Sequence, residues 1–481
     1  MSADNHKLIN EQIGIWSAVA LLVGTAMGMS IFIVPTQMLA QAGPSITIAV
    51  IFAILPMVLG VLMLLQLGGA LPVAGGIYVY GSRLIGPYWG MIGVAVPVLA
   101  VWSYLLFAAL GFTQYLNGIL VEIAGTEAPA MLIIWGIIGA FLALNYVGIR
   151  IVAKVQIAMV LFFLAALLTF TLGMAPSVEA SNFTPMFPGE LFASGMAPLL
   201  LAIVTLYTPF QGFGMIIEMG EEIEDPVKNI PRVLAIGMGI VAAISLAVVI
   251  VLAGAVPWQE AIVDGKPVEG GFFAVSTLPD GASLLIALGA LVAGATIINA
   301  LFTSYSRTVM RAARDEIIPD YLAAVHGRFN TPNRAIILLA IPPLVAAPFV
   351  DLFDAITPTE FLDWLVVVVI VGILMLFMIG GTALWNLPKV FPKRYEYSIY
   401  KLPMPLLRVV AIGNVIVSFV FIIFIVSSAP TALLFFLAWL ALVTVAYFYR
   451  IRAYENKGES LKDQMALLHK HEQIGGETTD D

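Results

Sequence analysis

The sequence predicts an all-α protein that crosses a membrane about twelve times, with two of its helices interrupted at mid-membrane. Three observations lead there. Of 481 residues, 61% are hydrophobic and 11% charged, with a mean hydropathy of +1.01. That leaves too little charge to coat a soluble chain, and apolar runs long enough to span a bilayer recur throughout. The residue-by-residue alternation of barrel strands is absent. Finally, two apolar segments carry poor helix formers at their centres: Gly24-Thr-Ala-Met-Gly-Met-Ser30 within residues 15–41, and Tyr207-Thr-Pro-Phe-Gln-Gly-Phe-Gly214 within residues 198–220.

Apolar segments centre near Met27, Met57, Trp102, Gly139, Phe163, Thr208, Ala243, Ile298, Leu339, Ile373, Val417 and Ala438. Charge sets their direction. With the N-terminus inside, all but Lys266 of the 22 lysines and arginines fall in the cytoplasm. The outer loops instead carry acids such as Glu179, Glu260, Asp264 and Asp351. This is the positive-inside pattern of a multi-pass cytoplasmic-membrane protein with both termini cytoplasmic. Residues 1–13 are polar and lack a cleavable leader pattern, so the first span is expected to remain as an anchor.

Five spans precede the second interruption, so it enters from the opposite side to the first. Residues 14–175 and 195–386 can then be inverted copies of one five-span unit inside a transmembrane domain of residues 14–449. Two further spans occupy residues 405–449. The segments centred on Trp102 and Ile298 are both unusually long, as counterparts would be. Residues 71–82 read as an interfacial or re-entrant piece, residues 256–280 as an outer loop able to hold a short helix or lid, and residues 450–481 as a polar cytoplasmic tail.

Several function classes are excluded. Without cysteine there is no disulfide or thiolate chemistry, and the four histidines lie in tails and a loop. No nucleophile–base or metal-ligand constellation exists, so neither an enzyme nor a resident cofactor or metal is expected. A net charge of −8 suggests no nucleic-acid partner. Membrane lipid and a small-molecule substrate remain.

Matched interruptions in the two halves of a membrane protein point to a transport site. A helix restarting near Ser30 offers backbone amides and the positive end of its dipole, which suit a carboxylate. A helix ending near Phe210 offers carbonyls, which suit an ammonium group. A zwitterion fits both. The alternatives are small-residue packing by Gly24-x-x-x-Gly28 and a simple kink at Pro209.

Gly28-Met-Ser-Ile-Phe32 with Pro35 and Ala42-Gly-Pro44 resembles the first-helix signature of the amino acid–polyamine–organocation (APC) transporter superfamily. Four further stretches resemble its later motifs: residues 72–80 with Gly86-Pro87; Phe210-Gln-Gly-Phe213 with residues 221–232; Ser306-Arg307 with Ala313-Arg-Asp315; and Lys401-Leu-Pro403. The resemblance implies a five-plus-five inverted-repeat permease that moves amino acids or related amines by alternating access. It implies that the Met29 and Ser30 amides, with the Ser30 hydroxyl, hold a carboxylate, and that the Ala26, Thr208 and Gln211 carbonyls hold an amine. Ala100, Val101, Tyr104 and Leu105 would shape the pocket, and Phe210 or Phe213 would gate it.

The chain departs from the family pattern in places. Met29 stands where a small residue is common, Gly214 where an acid is common, and Phe163 where some proton-coupled members carry a lysine. Coupling by Na+ would draw on Thr296 and Asn299, whose other reading is bonding to their own helix or a neighbouring span. Coupling by H+ would draw on Glu218, about two helical turns after Gln211, unless Glu218 already lies at the surface. Arg307, Arg311 and Arg314 could pair with the acids after span six. The proposed pocket has no charged side chain, which favours a neutral amino acid. An amine or organic-cation carrier or exchanger is the alternative within transport, and a receptor or channel-like protein the alternative outside it.

Overall fold

The computed structural model describes residues 12–193, 195–268, 270–356, 361–396, 398–427, 429–456 and 458, without the side chains of residues 122, 123, 149, 150, 211 and 221. Most of the expected N-terminal segment and of the C-terminal tail lies outside the described residues.

Among the described residues, eleven runs are long and apolar enough to cross a membrane. The first, Ile15–Ala70, has 56 residues. As one straight helix it would extend roughly 84 Å, far beyond a hydrocarbon layer of about 30 Å. A 3₁₀ turn at Gly43–Ser45, opened by Gly43 at φ 59°, divides it. The eleven runs therefore make twelve passes.

The first pass is α1 (Ile15–Met27) and α2 (Ser30–Ala42), followed by α3 (Ile46–Ala70) and the short α4 (Gly76–Leu84). Next come α5 (Pro87–Ala124), α6 (Ala130–Val147) and α7 (Ile149–Met174). The sixth pass is α8 (Ala197–Leu206), a 3₁₀ stretch Thr208–Gly214, and one turn of helix, α9 (Met215–Glu218). It is followed by α10 (Pro226–Ala255), α11 (Gly271–Val275), α12 (Asp280–Arg314), α13 (Asn333–Ala346) and α14 (Val350–Ile356). The last described helices are α15 (Phe361–Val390), α16 (Pro392–Glu396), α17 (Met404–Val426) and α18 (Pro430–Glu455).

The inverted repeat is visible in which helices pack together. Helix α5 lies on α15 as α12 lies on α7, and α3 lies on α8 as α10 lies on α1. Helix α6 touches α12 as α13 touches α5. Each pair maps onto the other when the first five passes are exchanged for the next five. The long counterparts α5 and α12, with 38 and 35 residues, pack on each other at the centre. Their most apolar windows are 83% and 78% buried, against 17% for α18. A helix that is apolar all round and mostly unburied is one solvated by hydrocarbon, so α18 is peripheral.

Helix α4 is no surface segment. Its residues pack against α5, α15 and α9, with Tyr78 and Tyr80 fully buried. On the end of the molecule rich in acids, residues 256–280 form a 3₁₀ turn, a two-residue hairpin (Ile262–Val263 with Lys266–Pro267) and α11. Phe272 of α11 stacks on Phe170 at 4.3 Å between ring centroids and packs at 5.8 Å against Phe32 of α2.

Candidate substrate site at two helix breaks

The first break is narrower than residues 24–30. Helix α1 runs through Gly24 to Met27, and the Gly28 amide still donates to the Gly24 carbonyl at 3.1 Å. Gly28 itself, at φ 42° and ψ −150°, ends the helix in a region that glycine enters without strain. The Ile297 side chain occupies the space a Cβ there would need. Gly24 instead provides close packing, because a Cβ would strike Gln156 of α7. Helix α2 restarts at Ser30; the Phe32 amide already donates to the Met29 carbonyl at 3.0 Å, so the amides before it at the restart are the ones without a helical acceptor one turn back. The Ser30 hydroxyl donates to the Met27 carbonyl at 2.8 Å, which leaves the amide as that residue's free donor group.

The second break is wound as 3₁₀ rather than opened into coil. Phe210 N–H donates to Tyr207 O at 2.9 Å. Among the described residues, the buried Thr208 hydroxyl has no hydrogen-bond partner. The two breaks meet: a Cβ on Gly212 would collide with the Thr25 carbonyl at the end of α1. The Gln211 side chain lies outside the described residues.

The other expected pocket residues are buried too, and several of them pack against other helices. The Met29 thioether fills the space left by Gly111 of α5 and Gly294 of α12. Val101, Tyr104 and Leu105 are buried on α5, and Ala26 on α1. Ala100 faces Gly372 of α15. Phe210 is buried at the break, whereas Phe213 stacks on Phe377 at 5.4 Å and covers Gly60, facing α3 and α15.

The coupling candidates separate clearly. The Thr296 hydroxyl lies 2.7 Å from Ala293 O of its own helix and 3.0 Å from Gly24 O of α1. Asn299 donates to Gln156 Oε1 at 2.8 Å and accepts from Asn145 at 2.9 Å. Thr303 donates to Asn145 Oδ1 at 2.6 Å. These neutral groups join α1, α6, α7 and α12, and the Gln156 amide occupies the place between α1 and α12. Gln156 and Asn145 were not identified from sequence. The available signal was an amide in an otherwise apolar span.

Glu218 is inside the protein, 3% exposed, not at its surface. It accepts from Ile77 N–H at 3.3 Å and from the Thr308 hydroxyl. Beyond it lies a layer of buried ion pairs. Arg307 forks onto Glu222 at 3.0 and 2.8 Å, as expected of an arginine facing the acids after span six. Arg311 meets Asp315 at 3.6 Å; the side chain of Glu221, one of the acids after span six, lies outside the described residues. Asp315 also takes Arg83 and the Tyr78 hydroxyl, each at 2.6 Å. Burial alone would raise the Asp315 carboxyl, but Arg311 and Arg83 outweigh it and hold it below the usual carboxylate range. Ile13 bonds to the backbone of Glu222 and Glu224 at 2.8 and 3.1 Å, tying the start of the described chain to the same layer.

Among the described residues no group of three or more His, Asp or Glu could hold a metal ion. A cleft of about 290 Å³ lined by Gln41, Ala197, Pro198, Leu201, Phe424 and Ser427 includes no break residue. What the breaks offer is backbone amides, backbone carbonyls and one unpartnered hydroxyl.

The sequence matches the family described as amino acid permease over residues 13–448. It is 25% identical to the methylthioribose transporter of Bacillus subtilis, covering 89% of this chain and 90% of that protein. It is 22% identical to the branched-chain amino acid permease BcaP of the same species, over 69% of this chain and 73% of that one. With the Asc-type amino acid transporter 1 of Mus musculus it shares 27% identity, over 78% of this chain and 72% of the other.

Proposed function

The chain belongs to the amino acid permease family, a family of multi-pass membrane transporters, and from that premise we propose that it is a secondary active transporter of a neutral amino acid, working by alternating access across the cytoplasmic membrane. The basic end of the molecule, with both termini, faces the cytoplasm. The observation that carries this reading is the direct contact of two helix breaks, Gly212 against the Thr25 carbonyl, beside the unpartnered Thr208 hydroxyl. Restart amides of α2 take the carboxylate, and the carbonyls closing α1 and lining the 3₁₀ stretch take the ammonium. The segments from Ile15 to Ala42 and from Ala197 to Ile217 contain no charged side chain, which selects against substrates with ionised side chains. The branched-chain and Asc-type relatives are named for amino acids.

One observation favours a second reading. The methylthioribose transporter matches over the larger share of this chain, and methylthioribose has no carboxylate. A neutral polyol would leave the α2 amides without an anion, as would an amine or organic cation.

Proteoliposomes given labelled amino acids, methylthioribose and simple amines separate these readings. Concentrative uptake of a neutral amino acid is expected; uptake of methylthioribose or amines alone would overturn the amino acid assignment. Ser30→Pro gives a sharper test. Proline removes one N–H, and because Met29 before it is helical at φ −69°, ψ −26°, a conformation a following proline disfavours, uptake of simple amines is the control for local distortion. The loss of a hydrogen bond to a charged group should weaken carboxylate-substrate affinity roughly 10- to 150-fold, with amines little affected.

A further inference from the structure

We propose that Glu218 carries a coupling proton, and that its protonation releases the cytoplasmic end of the sixth pass. This rests on the transporter reading. Glu218 is the last residue of α9, the single helical turn that continues directly from the 3₁₀ break. Any rearrangement of that break therefore moves its carboxylate. The carboxylate bridges two other elements, accepting from Ile77 N–H of α4 and from the Thr308 hydroxyl of α12. Gly75 and Gly76, at φ 95° and 31°, bring α4 up to it, and a Cβ on Gly76 would overlap the carboxylate. The neighbourhood is built to receive this side chain.

The charged groups around it are engaged elsewhere. Of the three α12 arginines, Arg307 forks onto Glu222, Arg311 pairs with Asp315, and Arg314 is the last residue of the helix. On α4, the Tyr80 hydroxyl is 3.4 Å from Leu71 O, and Arg83 binds Asp315. Tyr305 of α12, also buried, brings no positive charge. Helices α1 and α3 contain no ionisable residue, and Lys228 and Arg232 of α10 are exposed. Among the described residues, two hydrogen-bond donors and no cation thus meet this buried carboxylate. An intramembrane acid held without a cation is costly to keep ionised and ready to take up a proton.

The step balances simply. A proton taken up from the outer side adds to one carboxylate oxygen, an O–H bond forms, and the Ile77 amide and Thr308 hydroxyl keep their hydrogens but lose an anionic acceptor. The clamp of α9 on α4 and α12 weakens, and α9 swings away with the break. Water from the cytoplasm reaches the carboxyl, the proton leaves inward, and the restored carboxylate closes on Ile77 and Thr308 again. With a zwitterionic substrate each cycle moves one positive charge inward.

The test uses proteoliposomes with labelled leucine and alanine and two readouts: exchange at equal pH, and accumulation driven by an alkaline interior. Wild-type protein should accumulate label at least tenfold more with the pH gradient than without it. E218Q should keep exchange and lose the response to the gradient. An E218Q protein that still accumulates in response to it, or a wild-type protein that exchanges but ignores it, overturns the proposal. Should E218Q fail to fold, T308V decides: a lowered accumulation ratio with normal exchange supports the proposal, and an unchanged ratio overturns it. Failure of wild-type exchange with every amino acid tried, with methylthioribose exchanged instead, would refute the amino acid reading; the same gradient comparison on methylthioribose then tests Glu218 separately.

Discussion

Gly28 shows how much one residue determines here. A side chain at φ 42°, ψ −150° costs about 1–3 kcal/mol in the backbone, and forcing a methyl against Ile297 adds about 1–3 kcal/mol of overpacking. Gly28→Ala should therefore lower the melting temperature in detergent and abolish uptake; a variant with wild-type melting and uptake would show that the break does not require glycine. Asp315 is the corresponding residue at the basic end. Its carboxyl is held below the ordinary value by Arg311 and Arg83 against the opposing effect of burial. A depressed carboxyl contributes stability that is complete above its unfolded value of about 3.9 and disappears as pH falls through the lower folded value. Asp315→Asn should cost about 3–5 kcal/mol at neutral pH, because it strands Arg83 in a buried site. It should also flatten the acid limb of a melting-temperature profile below about pH 4. An unchanged limb would assign acid sensitivity to other carboxylates.

At the scale of elements, the loop of residues 256–280 has an aromatic anchor among its contacts. Phe272 lies between Phe170 and Phe32, and the glycines before it, Gly270 and Gly271 at φ 92° and 53°, allow α11 to turn inward. Phe272→Ala should remove about 3–5 kcal/mol of local packing, so hydrogen exchange should quicken across residues 262–275 while α5 and α12 stay protected; uniform acceleration would mean the loop supports the whole bundle. That this loop could hold a short helix was legible from its length, but its anchor was not, because Phe32 and Phe170 look like ordinary residues of apolar spans. The breaks were legible because glycine and proline at mid-span violate helix propensity. Their extent was less so: Gly24 and Gly28 have the same residue type and both lie against a side chain of another helix, and only the backbone, helical at Gly24 and at φ 42° at Gly28, separates the packing glycine from the breaking one. The Asn145–Asn299–Gln156 network escaped for a related reason, since an amide in an apolar span gives no hint of its partner.

For the whole molecule, the repeat was readable from the odd number of spans before the second break, not from residue similarity. Packing needs only that helices of similar length and apolar character meet in the same order, as α5 on α15 and α12 on α7 do. The sequence can diverge while that order is kept. Orientation depends on a different property, the placement of charge, and here it makes a direct prediction. Exposed Lys266 lies in the hairpin of the acid-rich loop, and exposed Arg328 lies between α12 and α13 at the other end. Because the chain has no cysteine, a single introduced thiol is the whole signal. A membrane-impermeant maleimide applied to intact cells should label Lys266→Cys at once and Arg328→Cys only after permeabilisation. The reverse order would place the Arg307–Glu222 and Arg83–Asp315 layer on the outer face and invert the direction in which Glu218 could deliver a proton.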